Sequence, residues 1–280
     1  MVSNNVIFNI TSYIEEILVT YRHCQCRHII LFIPQIKVKI TFAIVLLLYL
    51  QKKTTSMQTL LSNFKIQVNP KIYVKDPETS ALGKKIIEHS IVMIEEIGFE
   101  NFTFKKLGDR IGSNESSLYR YFENKHKLML YLSSWYWSWM EYRLVFTTSN
   151  IVNVEDKLKR AIVIITEKIQ DDQETVHINE ATLNRIIITE FTKNLQTKEV
   201  DEENKEGFFL IYKRIINRLV SYINEVNPDY PFAKSLASTI VEGSLHQHFL
   251  QQHLDTITDC CDTISPSDFY INLVQNVLRK

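Results

Sequence analysis

Apolar residues recur every three or four positions along most of the chain after residue 79. In the first such segment they are Leu82, Ile86, Ile87, Met93, Ile94 and Ile97. This spacing matches the 3.6-residue period of an α-helix and places the apolar side chains on one face. The same pattern predicts helices at residues 80–97, 104–111, 114–122, 125–146, 154–170, 179–195, 204–225, 232–254 and 267–278.

The composition favours an all-helical fold. The chain of 280 residues contains six glycines and six prolines, and residues 78–227 contain no proline. Sheets need frequent turns, which favour glycine and proline, whereas proline breaks a helix in its interior. Apolar residues make up 45% of the chain, which is enough for a hydrophobic core. We therefore expect an all-α globular protein.

Charge, cysteines and motifs narrow the classes of function. The formal net charge is zero, so any contact with nucleic acid must come from a local surface. The cysteines are Cys24, Cys26, Cys260 and Cys261, without a C-x-x-C motif, so reduced thiols and a cytoplasmic protein are expected. No G-x-G-x-x-G, phosphate-binding loop, G-x-S-x-G or H-E-x-x-H motif occurs. The sequence therefore favours a protein that is not an enzyme and has no catalytic residue or cofactor.

Residues 1–56 differ in character from the rest of the chain. Their apolar run at residues 40–50 is about half the length of a membrane span, which needs about 20 residues. Extending the run upstream meets Pro34, Lys37 and Lys39, and charged residues are costly in lipid. Three interpretations remain open: a membrane anchor, a helical extension that packs on the body, or an over-long gene start before Met57. The compositional break favours the third.

Residues 98–128 contain the most specific pattern in the sequence. A Gly98-Phe99 pair follows the first predicted helix, Thr103 begins the second, and Gly112 ends it. The third predicted helix contains Leu118-Tyr119-Arg120-Tyr121-Phe122, and the fourth opens with Lys125 and, three residues later, Leu128. Two short helices joined by a tight turn with glycine form a helix-turn-helix, whose second helix enters the major groove of DNA.

These residues resemble the DNA-binding domain of the tetracycline-repressor (TetR) family. The resemblance implies an arm at residues 57–78, a three-helix helix-turn-helix domain at 79–130, and a helical ligand-binding and dimerisation domain at 131–280. It implies phosphate contacts from Thr103, Lys105, Tyr119 and Lys125 and base contacts from Glu115, Ser116, Ser117 and Tyr121. The position of Arg120 beside the two tyrosines lets it reach phosphates or bases as well. Gly108 departs from the alanine usual in the family, and Glu115 from a basic residue.

Aromatic residues on the fourth predicted helix form a candidate ligand-binding face. Trp135, Trp139 and Tyr142 are spaced i, i+4 and i+7, so they share one side of the helix. The family resemblance implies that this helix borders a ligand cavity, although these aromatic residues could equally form plain core. His246 is a further candidate for the cavity rim.

Two groups of potential metal ligands lead to no predicted metal site. Glu242, His246 and His253 share a helical face, which suits a metal site, a cavity rim or a dimer contact. The group His23, Cys24, Cys26 and His28 has no second half at a spacing typical of zinc fingers.

The expected function is that of a ligand-responsive repressor. The resemblance implies a homodimer, paired through residues 232–254 and 267–278, that binds a palindromic operator in duplex DNA. Candidate contacts of the dimer are Leu236, Ile240, Leu245, Phe249, Phe269, Leu273 and Val277. A small molecule that fits only the form with the wrong spacing of the two recognition helices would release the DNA. The alternative is a membrane-tethered DNA-binding sensor anchored through residues 29–50.

Overall fold

The protein is described by a computed structural model over residues 66–169 and 177–279. Its helices are α1 (Ala81–Asn101), α2 (Phe104–Ile111), α3 (Glu115–Tyr119), α4 (Lys125–Thr148), α5 (Val154–Thr166), α6 (Glu180–Leu195), α7 (Val200–Lys205), α8 (Leu210–Val226), α9 (Ala233–His253) and α10 (Pro266–Leu278). Short 3-10 turns occur at Pro70–Ile72, Pro77–Thr79 and Asp255–Ile257. The described ranges contain no β-strand, and the predicted all-α fold is confirmed.

Side chains at the ends of the loops fix the starts of several helices. The hydroxyl of Ser80 accepts a hydrogen bond from Gly83 N at 3.1 Å, and that of Thr103 accepts one from Lys106 N at 3.2 Å. Asn124 caps α4 in the same way. At the start of α10, Ser265 and Asp268 form a reciprocal capping box. Such caps satisfy backbone N–H groups that have no partner within the helix.

Two predicted helices need correction. The segment predicted as a helix at 114–122 ends at Tyr119, because the N–H groups of Tyr121 and Phe122 both bond back to Leu118 O and close a tight turn. The helix predicted at 204–225 is two helices, α7 and α8. They are separated at Gly207, which has a φ of 81°. Phe208 N bonds to Glu203 O at 3.0 Å and Gly207 N to Asn204 O at 3.1 Å, which is a Schellman motif.

Helix α4 lies at the centre of the helices that the structure describes. Five consecutive residues, at positions 128–132, are each at most 2% exposed. More than one full helical turn is therefore buried on every side, which is typical of a central helix. Helices α5, α6 and α8 pack against it. The boundary predicted at residue 130 lies within this helix, and the buried residues on both sides of that point belong to one hydrophobic cluster.

A buried ion pair joins α4 to α8. The Glu141 carboxylate is 6% exposed and accepts hydrogen bonds from Arg214 and Arg218. Burial alone would raise the pKa of Glu141, but the two guanidinium groups outweigh that effect and lower it. The carboxylate therefore stays charged and paired, as a buried charge requires.

Several predictions fall outside the described residues. They include the alternatives for residues 1–56, the anchor at 29–50 and the first part of the arm. The helix predicted at 154–170 ends earlier, at Thr166, because Glu167 has an extended backbone. Within the described part, the arm comprises residues 66–79 and contains two 3-10 turns, each begun by a capping side chain, Asn69 or Asp76. Among the described helices, none is long and apolar enough to cross a membrane.

We expect Gly83→Ala to destabilise the fold although alanine favours helix. A methyl group at this position of α1 would lie 2.1 Å from Pro77 O, a backbone atom of the preceding turn. Relieving that overlap should lower the free energy of unfolding by about 1–3 kcal/mol. Urea denaturation followed by circular dichroism measures the change. Lys84→Ala, an exposed neighbour, is the matched control, and equal stability of the two variants would contradict the packing.

Candidate nucleic-acid interface

Helix α2 and the turn after it keep the next helix, α3, close to α2. Gly112 ends α2 in the left-handed conformation, with a φ of 67°, and Ser113 N bonds to Gly108 O at 2.9 Å. A Cβ atom on Gly108 would lie 2.7 Å from Ser113 O. The glycine that replaces the usual alanine therefore lets the turn fold closely onto α2.

Apolar side chains attach α3 to the rest of this domain. Leu118 and Phe122 are fully buried, as their spacing of four residues predicts. The Phe122 ring lies 5.4 Å from that of Tyr131 on α4, centroid to centroid. The ring of Tyr119 packs edge-on against Phe104 of α2, with 5.0 Å between the centroids. One side of α3 is thus fixed, and its opposite side faces outward.

The outward side of α3 is polar. Glu115, Ser116 and Arg120 are exposed, Ser117 is half-buried, and Tyr119 is 47% exposed. The Tyr119 hydroxyl donates a hydrogen bond to Glu115 Oε1 at 3.3 Å. Burial raises the pKa of Tyr119, and the Glu115 carboxylate raises it further, so the hydroxyl remains a donor. Small and polar side chains on a protruding helix can approach base edges and phosphates.

Basic side chains around α3 fall into two groups. Arg110 is held by Glu96 in a two-point contact, which lowers the pKa of Glu96 chiefly through the hydrogen bond. Lys106 donates to Asn101 O at 2.8 Å. By contrast, Lys105 and Arg120 are exposed and have no ion-pair partner among residues 66–169 and 177–279. Thr103, the cap of α2, is exposed beside Lys105.

Two predicted contact residues lie elsewhere than the sequence suggested. Tyr121 is 4% exposed, and its hydroxyl hydrogen-bonds to Ser80 Oγ at 2.8 Å. Its side chain therefore stabilises the junction between α1 and α3. It does not face outward, as the predicted contact with a DNA base would require. The Lys125 ammonium donates to Phe99 O and Glu100 O, both at 3.0 Å. It thus caps the carbonyl end of α1, which sequence reasoning missed.

The predicted ligand-binding residues lie apart from the two cavities that border α4 and α10. Trp135 and Trp139 are buried, and Arg143 stacks on the Trp139 ring at 4.7 Å. Tyr142 stacks on Phe146, and His246 is exposed and stacks on Phe249. One cavity lies between α4, the end of α6 and the start of α8, and another lies between α5, the end of α8 and α10. None of these four residues lines either cavity. The cavity at α4 is lined instead by Trp137 and Ser133.

A closely folded helix pair whose second helix presents an outward polar face defines a helix-turn-helix DNA-binding protein. Residues 86–132 match the family model described as "Bacterial regulatory proteins, tetR family". This segment therefore matches the DNA-binding domain of TetR-family regulators, and the resemblance seen in the sequence is confirmed for these residues. Among curated proteins, none matches the chain.

Several solved structures of transcription regulators have a limited similarity to this chain. AibR in complex with isovaleryl coenzyme A and operator DNA is 13% identical, with a TM-score of 0.47, over 68% of this chain and 97% of AibR. The fatty acid degradation regulator FadR from Bacillus halodurans is 16% identical, with a TM-score of 0.44, over 69% and 96%. KstR2 of Mycobacterium tuberculosis, a ketosteroid transcriptional regulator, is 14% identical, with a TM-score of 0.42, over 76% and 95%. At these values, nothing about ligand or partner is transferred to this chain.

We expect Lys125→Met to destabilise the DNA-binding domain. The substitution keeps the aliphatic stem but removes the donor to two carbonyl groups at the end of α1. Because the site is partly exposed, the loss should be about 1 kcal/mol in the free energy of unfolding. Thermal denaturation measures it, with Lys105→Met as the control at an exposed lysine. Equal melting temperatures for the two variants would show that the cap contributes nothing.

Proposed function

We propose that the protein is a homodimeric repressor that binds a palindromic operator and is released by a small molecule. The outward polar face of α3, held against a capped α2, is the observation that supports DNA binding most directly. A regulator that meets chromosomal DNA acts in the cytoplasm. The residues that match the family pattern serve to bind DNA, and we propose no catalytic activity.

Within this proposal, the exposed residues divide into two roles. Glu115, Ser116 and Ser117 lie in the first turn of α3, the part of a recognition helix that meets base edges. Thr103, Lys105, Tyr119 and Arg120 surround that turn and suit phosphate oxygens, which accept hydrogen bonds from hydroxyl and cationic groups. Lys125 has three N–H donors and uses two of them in the α1 cap, so one is left for a phosphate.

The proposed dimer forms through the outer faces of α9 and α10. On α10, Phe269 is 44% exposed and Val277 is 37% exposed, and Leu273 lies between them on the same face. Phe249 adds a half-buried ring on α9. Leu236, Ile240 and Leu245, also expected in the interface, are buried within the chain and stabilise α9 instead. Apolar side chains exposed in a row favour contact with a second copy.

The DNA-binding proposal is tested by selection of DNA sequences with the purified full chain. We expect an inverted repeat whose half-sites lie about one helical turn apart, because a two-fold dimer presents its two recognition helices symmetrically. Arg120→Ala should weaken binding to the selected site and lower the salt dependence of log K by about 0.9 for each phosphate that the variant no longer neutralises. Lys193→Ala, an exposed lysine of α6, is the control. Selection of no sequence, or an unchanged salt slope for Arg120→Ala, would refute these roles.

The dimer proposal is tested by Phe269→Asp. A buried unpaired carboxylate at the centre of the interface is unfavourable, so this variant should be a monomer at concentrations at which the wild type is a dimer. It should also lose at least about tenfold in affinity for the selected DNA, since each 1.4 kcal/mol of lost pairing is tenfold. Asn272→Asp, exposed on the same helix, is the control. Sedimentation equilibrium gives the mass, and a dimeric Phe269→Asp would exclude this interface.

A further inference from the structure

Two buried, uncharged hydrogen-bond donors on α4 have no partner in the described part of the chain. They are Ser133 Oγ and Trp137 Nε1, and the two residues are 4% and 3% exposed. They are separated by four residues, so they lie on one face, one turn apart. Leaving such donors unpaired in the interior is unfavourable, and they call for an acceptor between α4 and the neighbouring helices.

Both donors line the same cavity. The cavity lies between α4, the end of α6 and the start of α8, and its volume is about 10 Å³, the space of a single water molecule. Trp137, Phe191 and Tyr212 form a triangle of rings with centroid distances of 5.1, 5.2 and 5.1 Å. Phe208 and Phe209 complete an aromatic wall. None of the lining side chains is charged.

One wall of the cavity belongs to a short connecting segment that also holds the DNA-binding domain. This segment, residues 203–209, is called the strap. Phe208 and Phe209 of the strap line the cavity, while its other residues bond to elements next to α1–α3. Glu203 pairs with His126 Nε2 at 2.7 Å.

The strap also holds the arm. Its Glu206 carboxylate pairs with Lys71 Nζ at 2.5 Å, and the Glu206 carbonyl accepts from Asn69 Nδ2 at 3.0 Å. Three residues after Lys71, Val74 N bonds to Tyr121 O at 2.8 Å. Tyr121 immediately follows Arg120 at the end of α3, so the arm connects the strap to the recognition helix.

We propose that this cavity is the closed form of a site for a small neutral molecule, and that its occupation moves the strap. This inference rests on the proposed ligand-responsive function and specifies its site, its ligand class and its coupling. The ligand has a flat apolar part, which matches the ring walls, and an oxygen or nitrogen acceptor, which pairs with Trp137 Nε1. It is uncharged, because no lining side chain would balance a charge.

The small volume of the cavity links ligand binding to movement of the strap. A molecule larger than one water fits only if part of the wall moves, and Phe208 and Phe209 of the strap are the wall residues that lie between two helices, α7 and α8. Its Gly207 has a φ of 81°, a conformation in which a change of backbone direction is accessible to glycine. Outward movement of Phe208 and Phe209 strains the contacts to His126, Lys71 and Asn69. The occupied form therefore disfavours the arrangement of α3 seen here.

The binding test uses acetophenone, a flat neutral molecule with one carbonyl acceptor. The probe is added to the ¹⁵N-labelled full chain, whose three tryptophans give three indole N–H resonances. The resonance of Trp137, assigned with Trp137→Phe, should shift with acetophenone and should not shift in the same way with ethylbenzene or benzoate. Ethylbenzene lacks the acceptor and benzoate is charged. An unmoved Trp137 resonance at millimolar acetophenone, or equal shifts with benzoate, would overturn the proposal.

Matched variants separate hydrogen bonding from packing. Trp137→Phe keeps an aromatic ring but removes the indole donor, so it should bind acetophenone about 5- to 10-fold more weakly, the value of one hydrogen bond. Its affinity for ethylbenzene should stay unchanged. Trp135→Phe, buried but outside the cavity lining, should bind both molecules as the wild type does. An equal loss in the two variants would indicate a packing effect and contradict the site.

The coupling is tested on the selected DNA. Acetophenone should weaken DNA binding by the wild type, whereas His126→Ala, which cuts one bond of the strap, should bind the probe normally and show a smaller change in DNA affinity. A wild type that binds the probe without any change in DNA affinity would overturn the coupling. A protein that selects no DNA sequence would instead refute the proposed function, and the indole resonances would still decide the binding site.

Discussion

Complete burial of the middle of α4 is the constraint on which the rest of the structure depends. Because residues 128–132 have no solvent side, other elements must cover them all round. Helices α5, α6 and α8 and the turn at Pro70–Ile72 pack against α4. The same helix begins at Lys125, after a short connection from α3, which ends at Tyr119. The covering helices and the DNA-binding domain therefore share one rigid element, and a change at its buried middle reaches both.

The regular parts of this arrangement were predictable from the sequence because local chemistry determines them. Thr103 and Gly112 bound α2 as expected, since a hydroxyl cap and a left-handed glycine act within a single turn. The burial of Leu118 and Phe122 followed from their spacing. The strap was missed because Gly207 was overlooked within an apparently continuous apolar pattern, and the Schellman motif around it divides that pattern into α7 and α8.

The roles of individual aromatic residues were less predictable, and the reason is again the burial of α4. An amphipathic helix has one apolar face, so spacing identifies the residues that face the core. When a helix is covered on all sides, every face is apolar. The spacing of Trp135, Trp137 and Trp139 then does not show which of them lines a cavity. Only the positions of the neighbouring helices decide that Trp137 meets Phe191 and Tyr212. Tyr121 likewise pairs with Ser80, a contact between residues 41 positions apart that periodicity cannot reveal.

Some polar groups buried along α4 have a hydrogen-bond partner in the described part of the chain and others have none there. We interpret the paired groups as structural and the unpaired ones as candidates for ligand binding. Glu141 is matched by two arginines, and Tyr136 accepts a hydrogen bond from Asn184 at 2.7 Å. The Glu141 carboxylate and the Tyr136 hydroxyl oxygen thus find their partners within the chain. Ser133 and Trp137 have no such partner in the described residues, although the same helix supplies all four residues. These two donors differ from the other unpaired buried atoms of the described residues because both are uncharged and both line one cavity, which is where an acceptor from outside the chain would complete them.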